Sequence, residues 1–253
     1  AIGIGIGIGI PSGALNSNQS DGPVSPFPLS NIISEYKFED NVLDTVGTSN
    51  GTATNVTYAD GLVGRTGVFN GSTSKVSMPT NFIPDLPSFS FSCLLKATNT
   101  SGEYRIFGLS DNINMPLIIL RLNASFSPGR IGFYLHSNNT GVEITTNSYV
   151  STDWIHITGT AVENDTMKLY VNGTLAGTLP ITSFTKLADS NYVGTNRNAN
   201  NNFYNGSLDC LRFWNKELSQ SEITAIATAE LAGTDINPTT NHIITENEDS
   251  IMT

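Results

Sequence analysis

The sequence predicts an all-β fold: a two-sheet antiparallel jelly-roll sandwich with one short C-terminal helix and an extended N-terminal strand arm. Three observations predict it. Many short apolar or alternating runs are separated by Gly, Asn, Asp and Pro, only one stretch carries convincing helix signals, and 253 residues can bury a sizeable core. The runs are IISEYKF, GVFNG, KVSM, SFSFSCLLKA, YRIFGL, LIILRL, RIGFYLH, VEITTN, WIHITGTAV, MKLYVNG, TLAGTLP, NYVG and LDCLRFW.

Residues 2–10 alternate isoleucine with glycine, which puts every isoleucine on one face of an extended strand. Something else must cover that face. We expect copies of the same protein to do so, by strand addition to an exposed sheet edge or in a symmetric bundle such as a trimer. The segment is too short for a membrane-spanning helix. The assembly residues are Ile2, Ile4, Ile6, Ile8 and Ile10.

Residues 11–31 hold four prolines among small polar residues, which is typical of an extended linker. We therefore divide the chain into an arm and linker for assembly at 1–31, a sandwich at 32–233 and an acidic polar tail at 234–253. The tail has little periodicity and is predicted to be free or to bind a partner.

The composition excludes one class of partner and favours a location. A net charge of −10 opposes binding to nucleic acid, because affinity for phosphates comes mainly from basic side chains. Only 13% of the residues are charged, and Asn, Ser and Thr supply the polar surface instead. Such a surface suits an extracellular, cell-surface or virion protein.

Two local motifs carry specific predictions. Asn172-Gly173 lies between alternating runs and predicts a tight β-hairpin. Ser219 with Glu222 three residues later forms a capping-box pattern, and Gly233 provides a stop signal. A helix between them should fold back onto the sandwich through an apolar face formed by Ile223, Ile226 and Ala227.

Cysteine and histidine chemistry is sparse. Cys93 and Cys210 lie in strand-like runs, so they form one disulfide only if the strands are adjacent and the side chains point the same way; otherwise both are buried thiols. The three histidines show no metal-ligand spacing, and we interpret His156 as a core residue. Trp154 and Ile157 are also expected in the core.

Residues 32–229 resemble the laminin-G-like, pentraxin-like branch of the concanavalin A-like lectins and glucanases. Five stretches carry the resemblance in the family's order, over about four-fifths of the chain. They are YKFEDNVLD, GRTGVFNGSTSKVSMP, SFSFSCLLKA, DWIHITGTAVENDTMKLYVNGTLAG and YNGSLDCLRFWNKELSQSEI. The resemblance implies a concanavalin A-like sandwich.

The resemblance also implies one structural calcium ion that joins the first and last strands. Asp209 would supply a carboxylate, and Glu39 and Gly71 would lend neighbouring oxygens. The alternative is that Asp209 anchors Arg212 or a turn amide. Relatives that cut polysaccharides carry paired glutamates and an aspartate on one strand; no strand-like run here has that pattern, so no enzymatic activity is expected.

The Asn-rich stretch at 194–206 is the candidate ligand site. Asparagine and arginine side chains make directional bonds to sugar hydroxyls, and aromatic rings offer flat faces. The alternative is a solvated turn region with the aromatic residues in the core. The candidate residues are Arg197, Asn200, Asn202, Phe203 and Tyr204.

The sequence thus predicts a non-enzymatic surface protein whose sandwich mediates adhesion or glycan recognition and whose arm anchors it in a homo-oligomeric assembly. Two alternatives stay open. The chain could be a purely structural block of a fibre, filament or capsid, or an accessory module of a polysaccharide-degrading enzyme.

Overall fold

The computed structural model describes residues 26–80, 83, 86–98, 102–110, 116–122, 129–137, 140–147, 152–184, 190–196 and 198–237, without the side chains of residues 116, 117 and 137. The Ile-Gly segment, Arg197 and residues 238–253 lie outside this part, so the predictions for them stay predictions.

The described residues form two antiparallel sheets packed face to face, which confirms the predicted sandwich. One sheet has eight strands and the other seven. In chain order the strands are β1 (Ile32–Tyr36), β2 (Thr52–Thr54), β3 (Thr57–Asp60), β4 (Arg65–Asn70), β5 (Lys75–Met78), β6 (Ser88–Ala97), β7 (Tyr104–Ser110), β8 (Pro116–Leu122), β9 (Ile131–Ser137), β10 (Thr140–Thr145), β11 (Ile155–Val162), β12 (Thr166–Val171), β13 (Thr174–Pro180), β14 (Ser190–Val193) and β15 (Asn205–Trp214).

The order in the eight-stranded sheet is β13-β12-β11-β6-β15-β4-β3, and the order in the other is β10-β9-β8-β7-β14-β5-β2. The long strand β15 pairs with β4 along its first half and with β1 along its second half. Each predicted run falls in a strand. The runs missed β2 and β3, which are short, polar edge strands with mostly exposed side chains.

The core lies between the two sheets and depends on aromatic contacts. Phe91 on β6 is fully buried, and its ring centroid lies 4.9 Å from that of Phe107 and 5.0 Å from that of Phe133, both on the opposite sheet. Ile157 is also buried in this core, as predicted. The side chains that join the sheets are therefore those predicted from period-two patterning.

The predicted helix is present as α1 (Gln220–Leu231). The Ser219 hydroxyl accepts a bond from the Glu222 amide, and the Glu222 carboxylate accepts one from the Ser219 amide, so the capping box is confirmed. Gly233 follows with a φ of +80°, which suits the residue that ends a helix. No helix in the described residues is long and apolar enough to cross a membrane.

Helix α1 covers the outer face of the eight-stranded sheet. Its buried isoleucines pack in one cluster with Trp214 of β15. Phe27, which the sequence assigned to the linker, packs against this cluster, and Ile236 of the predicted tail is part of it. Residues near both ends of the described chain therefore pack in the cluster between helix α1 and the sheet.

A buried ionic cluster fixes the same region. The Arg212 guanidinium on β15 donates to Glu35 of β1 at 2.5 Å, to Glu230 of α1, and to Asp235 at 2.9 Å. Lys37 adds a bond to Asp235 at 2.7 Å. Arg212, Glu35 and Glu230 are fully buried. Burial alone would lower the pKa of Arg212, but the carboxylates around it raise that pKa, so the guanidinium stays charged.

Three predictions near this sheet are resolved. Cys93 and Cys210 are buried free thiols, because Cys93 belongs to the core between the sheets and Cys210 to a cluster with Val63 and Leu94. The prediction that Trp154 lies in the core is wrong, since it is half-buried against that second cluster. His156 is fully buried, but its Nε2 lies 3.2 Å from Glu230 Oε2, so it has a polar neighbour as well as packing.

Candidate functional site

The outer face of the seven-stranded sheet is the one that helix α1 leaves uncovered. Alternation along the strands points Phe107, Leu120 and Phe133 into the core, so the residues between them face outward. Ile119 and Tyr134 are such residues, and both are half-buried. This face carries the candidate site.

An open pocket of about 270 Å³ lies where the Asn-rich loop meets β7 and β8. Its volume is near the lower end of the range for small-molecule sites, about 300–1,000 Å³. The side chains around it combine amide groups, one guanidinium and an aliphatic floor. The lining residues are Arg105, Gly108, Leu109, Ile119, Asn196, Asn198, Asn201 and Asn202.

The loop that forms one wall is held by bonds to itself and to the sheet. The amide of Asn196 and the hydroxyl of Thr195 both donate to the carbonyl of Asn201, at 3.2 and 2.9 Å. The Asn202 side chain donates to the carbonyl of Glu103, at 3.1 Å, and its own carbonyl accepts from the Arg105 amide, at 2.9 Å. The wall is therefore preorganised, which lowers the entropy lost on binding.

Of the predicted ligand residues that the structure describes, one lines the pocket, two lie outside its lining and one is in the core. Asn202 lines the pocket, whereas Asn200 is exposed in the same loop and does not. Phe203 is half-buried outside the lining. Tyr204 cannot offer a ring face, because it is fully buried in the core and its hydroxyl donates to the carbonyls of Lys96 and Ser207.

Sequence reasoning missed the sheet side of the pocket. Arg105 and Ile119 come from β7 and β8, far from the loop in sequence, and only the pairing of β14 with β7 brings them beside it. The sequence could have indicated three further loop residues, because Asn196, Asn198 and Asn201 belong to the same Asn-rich stretch as the predicted ligand residues.

Four charged groups beside the pocket pair with each other. Arg105 lies 2.8 Å from Glu103, and Arg121 lies 3.1 Å from the same carboxylate. Arg121 also donates to Glu143 through its Nε, at 2.6 Å. The two guanidiniums beside the pocket are therefore balanced by two carboxylates.

The residues predicted to hold calcium do not all meet. Asp209 and Glu39 both border the turn between β3 and β4: a methyl group at Gly61 would lie 3.1 Å from Asp209 Oδ2, and Glu39 accepts a bond from the Arg65 amide at 3.0 Å. Gly71 follows the other end of β4, and its amide donates to the carbonyl of Tyr204. At roughly 3.4 Å per residue, the length of β4 separates Gly71 from the Asp209 end of the strand by about 17 Å. The structure thus removes Gly71 from any site at Asp209.

Asp209 itself has an unusual environment. Its Oδ1 accepts a bond from the Cys210 amide at 2.7 Å, while its buried Oδ2 has no hydrogen-bond partner. Arg212 is occupied elsewhere, so Asp209 anchors a backbone amide and not the guanidinium. Burial raises the pKa of Asp209 to about 8, and the charges of Glu230 and Glu39 add to the increase. The orphaned Oδ2 is an oxygen that a cation would satisfy, but the described residues contain no group of three His, Cys, Asp or Glu that could hold an ion.

The calcium prediction can be tested by Asp209→Asn, which keeps the bond to the Cys210 amide. In calcium-free buffer the wild type holds a proton that the unfolded chain loses, so its stability falls as pH rises from about 4 to 8, and the variant lacks this slope. Added calcium should raise the Tm of the wild type and leave that of the variant unchanged. An unchanged wild-type Tm would contradict the prediction.

Comparison with known proteins agrees with this fold. No curated protein matches the chain significantly. Domain 4 of the extracellular GH43 arabinanase AbnA from Geobacillus stearothermophilus, solved with arabinotriose, superposes with a TM-score of 0.62 and 20% identity, over 78% of this chain and 98% of that one. The ligand-binding domain of botulinum neurotoxin serotype D, solved with N-acetylneuraminic acid, gives 0.64 and 20%, over 78% and 50%.

The binding domain of Paraclostridial Mosquitocidal Protein 1 gives a TM-score of 0.65 and 17% identity, over 78% of this chain and 52% of that one. The chain thus spans about half the length of both toxin domains. A laminin-G-type family model matches residues 70–224, more than half of the chain. With its two-sheet sandwich and the order of its motifs, the chain belongs to the concanavalin A-like lectin/glucanases superfamily.

Proposed function

We propose that this protein is a non-enzymatic, extracellular glycan-binding protein whose ligand site is the pocket between the Asn-rich loop and β7 and β8. The pocket itself carries the proposal. Amide side chains offer both donors and acceptors to sugar hydroxyls, and an aliphatic floor suits the apolar face of a sugar ring. The preorganised loop adds the rigidity that directional bonds require.

The structural relatives support a binding role. Two of them were solved with a sugar, arabinotriose in one case and N-acetylneuraminic acid in the other. Their identity to this chain is 20%, so the similarity establishes the fold alone. Which sugar binds depends on the side chains that line the pocket. An extracellular location is consistent with these relatives and with the Asn-, Ser- and Thr-rich surface.

The test is a glycan array followed by calorimetry on two matched variants. Asn198→Ala removes an exposed amide that lines the pocket, and Asn200→Ala removes an exposed amide from the same loop outside it. We expect Asn198→Ala to weaken binding of any array hit about five- to tenfold, the effect of one hydrogen bond. Asn200→Ala should bind like the wild type. No array hit, or equal losses in both variants, would contradict the proposal.

We also propose that residues 1–31 anchor the sandwich in a homo-oligomer, because the isoleucine face of the arm needs a cover. Adhesion, or display on a filament or virion, would follow from such an anchor. Light scattering of the full chain beside a version that lacks residues 1–25 tests this. An oligomer that becomes a folded monomer on truncation is the expected result, and two monomers would overturn it. If the full chain forms oligomers but binds no glycan, a purely structural role is favoured.

A further inference from the structure

The outer face of the seven-stranded sheet carries a straight row of side chains that extends beyond the pocket. Strand pairing places Tyr192 of β14 beside Gly108 of β7, Gly108 beside Ile119 of β8, and Ile119 beside Tyr134 of β9. All four belong to the outward set of their strands. The row therefore crosses the strands and has two aromatic rings, one near each end, with a glycine and an isoleucine between them.

At Gly108, in the middle of this row, no side chain projects from the sheet. Gly108 lies between the core residues Phe107 and Leu109, so a side chain at this position would project outward. With only a hydrogen there, Gly108 lines the pocket together with its neighbour Ile119, whereas Tyr192 lies outside the lining. The row thus runs from the pocket, past Ile119, to Tyr134.

The two tyrosines are too far apart for one sugar. They are separated by three strand spacings, about 14 Å at roughly 4.8 Å per strand. A single sugar ring bound in the pocket can contact one of them at most. Tyr134 is also outside the pocket lining, and a methyl group at Gly141 would clash with its ring, so the ring lies across the neighbouring strand β10.

The charges beside the row disfavour an ionic ligand. Arg105 and Arg121 lie next to it, but the carboxylates of Glu103 and Glu143 already pair with them. A ligand carboxylate would have to displace a carboxylate of the protein. A third cation, Lys75, lies at the far end of the row, with its Nζ 5.8 Å from the ring centroid of Tyr192. The chain also carries a net charge of −10, which repels anionic chains at long range.

From this row and its neighbours we infer that the site binds a neutral oligosaccharide lengthwise across strands β14, β7, β8 and β9, with at least one sugar unit in the pocket and a later unit on the Tyr134 ring. The inference rests on the proposed glycan-binding function and specifies its ligand class. It predicts that affinity increases with chain length and that only the longer ligands depend on Tyr134.

The experiment uses the full chain and an array of neutral oligosaccharides of one to six units, with uronic-acid and sialylated glycans beside them. Array hits are then titrated against Tyr134→Ala and against His136→Ala, which lies on the same strand and face one row away. We expect the wild type to bind trimers and longer chains at least tenfold more tightly than the monomer. Tyr134→Ala should weaken trimer binding about tenfold and leave monomer binding unchanged.

The possible results separate the two proposals. If monosaccharides bind as tightly as trimers, or if charged glycans bind more tightly, the inference is wrong and the proposed function stands. If Tyr134→Ala and His136→Ala lose the same affinity, the tyrosine does not hold a sugar. If nothing binds, both proposals fail. Thermal unfolding of each variant shows that it is folded before its affinity is compared, and Tyr192→Ala, at the other end of the row, provides a second test.

Discussion

Replacing Arg212 with methionine should destabilise the protein by about 3–5 kcal/mol, as expected when one partner of a buried ion pair is removed. The guanidinium is the shared partner of Glu35, Glu230 and Asp235, and the first two are fully buried. Without it these carboxylates face each other in a region that water does not reach. Urea unfolding followed by tryptophan fluorescence measures the loss.

The matched control is Lys168→Met on the outer face of the same sheet. Lys168 pairs with Glu217 at 2.7 Å, but its side chain is 28% exposed, and such pairs contribute at most about 1 kcal/mol. A loss below about 1 kcal/mol in both variants would show that the Arg212 cluster contributes nothing specific. A large loss in Lys168→Met would show that the cost comes from charge removal in general.

Replacing Phe91 with alanine should cost about 3–5 kcal/mol. This ring contacts Phe107 and Phe133 across the sandwich, and its removal leaves a cavity between the sheets that the surrounding strands cannot close. The midpoint of urea unfolding should fall while its slope stays constant, because the surface exposed on unfolding hardly changes.

Leu175→Ala is the matched surface change. Leu175 lies on the edge strand β13 and is 48% exposed, so we expect its loss to change stability by about 0.5 kcal/mol or less. If Phe91→Ala unfolds too readily to be purified, Phe91→Leu keeps most of the volume and should show a smaller loss in the same direction. A Phe91→Leu variant as stable as the wild type would contradict the assigned role of the ring.

Period-two patterning and turn chemistry predicted most of the fold. The capping box at Ser219 and the Asn172-Gly173 turn are local signals, and the structure confirms both. Two polar edge strands were missed because neither face of them is buried. Trp154 was misplaced because its local pattern does not show which cluster it packs against, and the neighbours Val63 and Leu231 are distant in sequence.

The candidate site was predictable only on its loop side. Asn202 lies in the pocket lining, and its loop is continuous in sequence, whereas Arg105 and Ile119 needed the strand order. Tyr204 was assigned to the ligand because an aromatic residue beside asparagines resembles a sugar platform. In the structure its side chain is fully buried in the core instead, where its hydroxyl bonds to two carbonyls.

Phe27 and Ile236 pack on the same cluster beside helix α1, on the side of the sandwich opposite the candidate sugar face. The described chain therefore begins and ends on this side of the sandwich. In the homo-oligomer proposed above, copies joined through this side would turn their pockets away from the joined ends. Weak single contacts with a repetitive glycan surface would then combine into high avidity, which depends on the spacing of the copies and not on a tighter pocket.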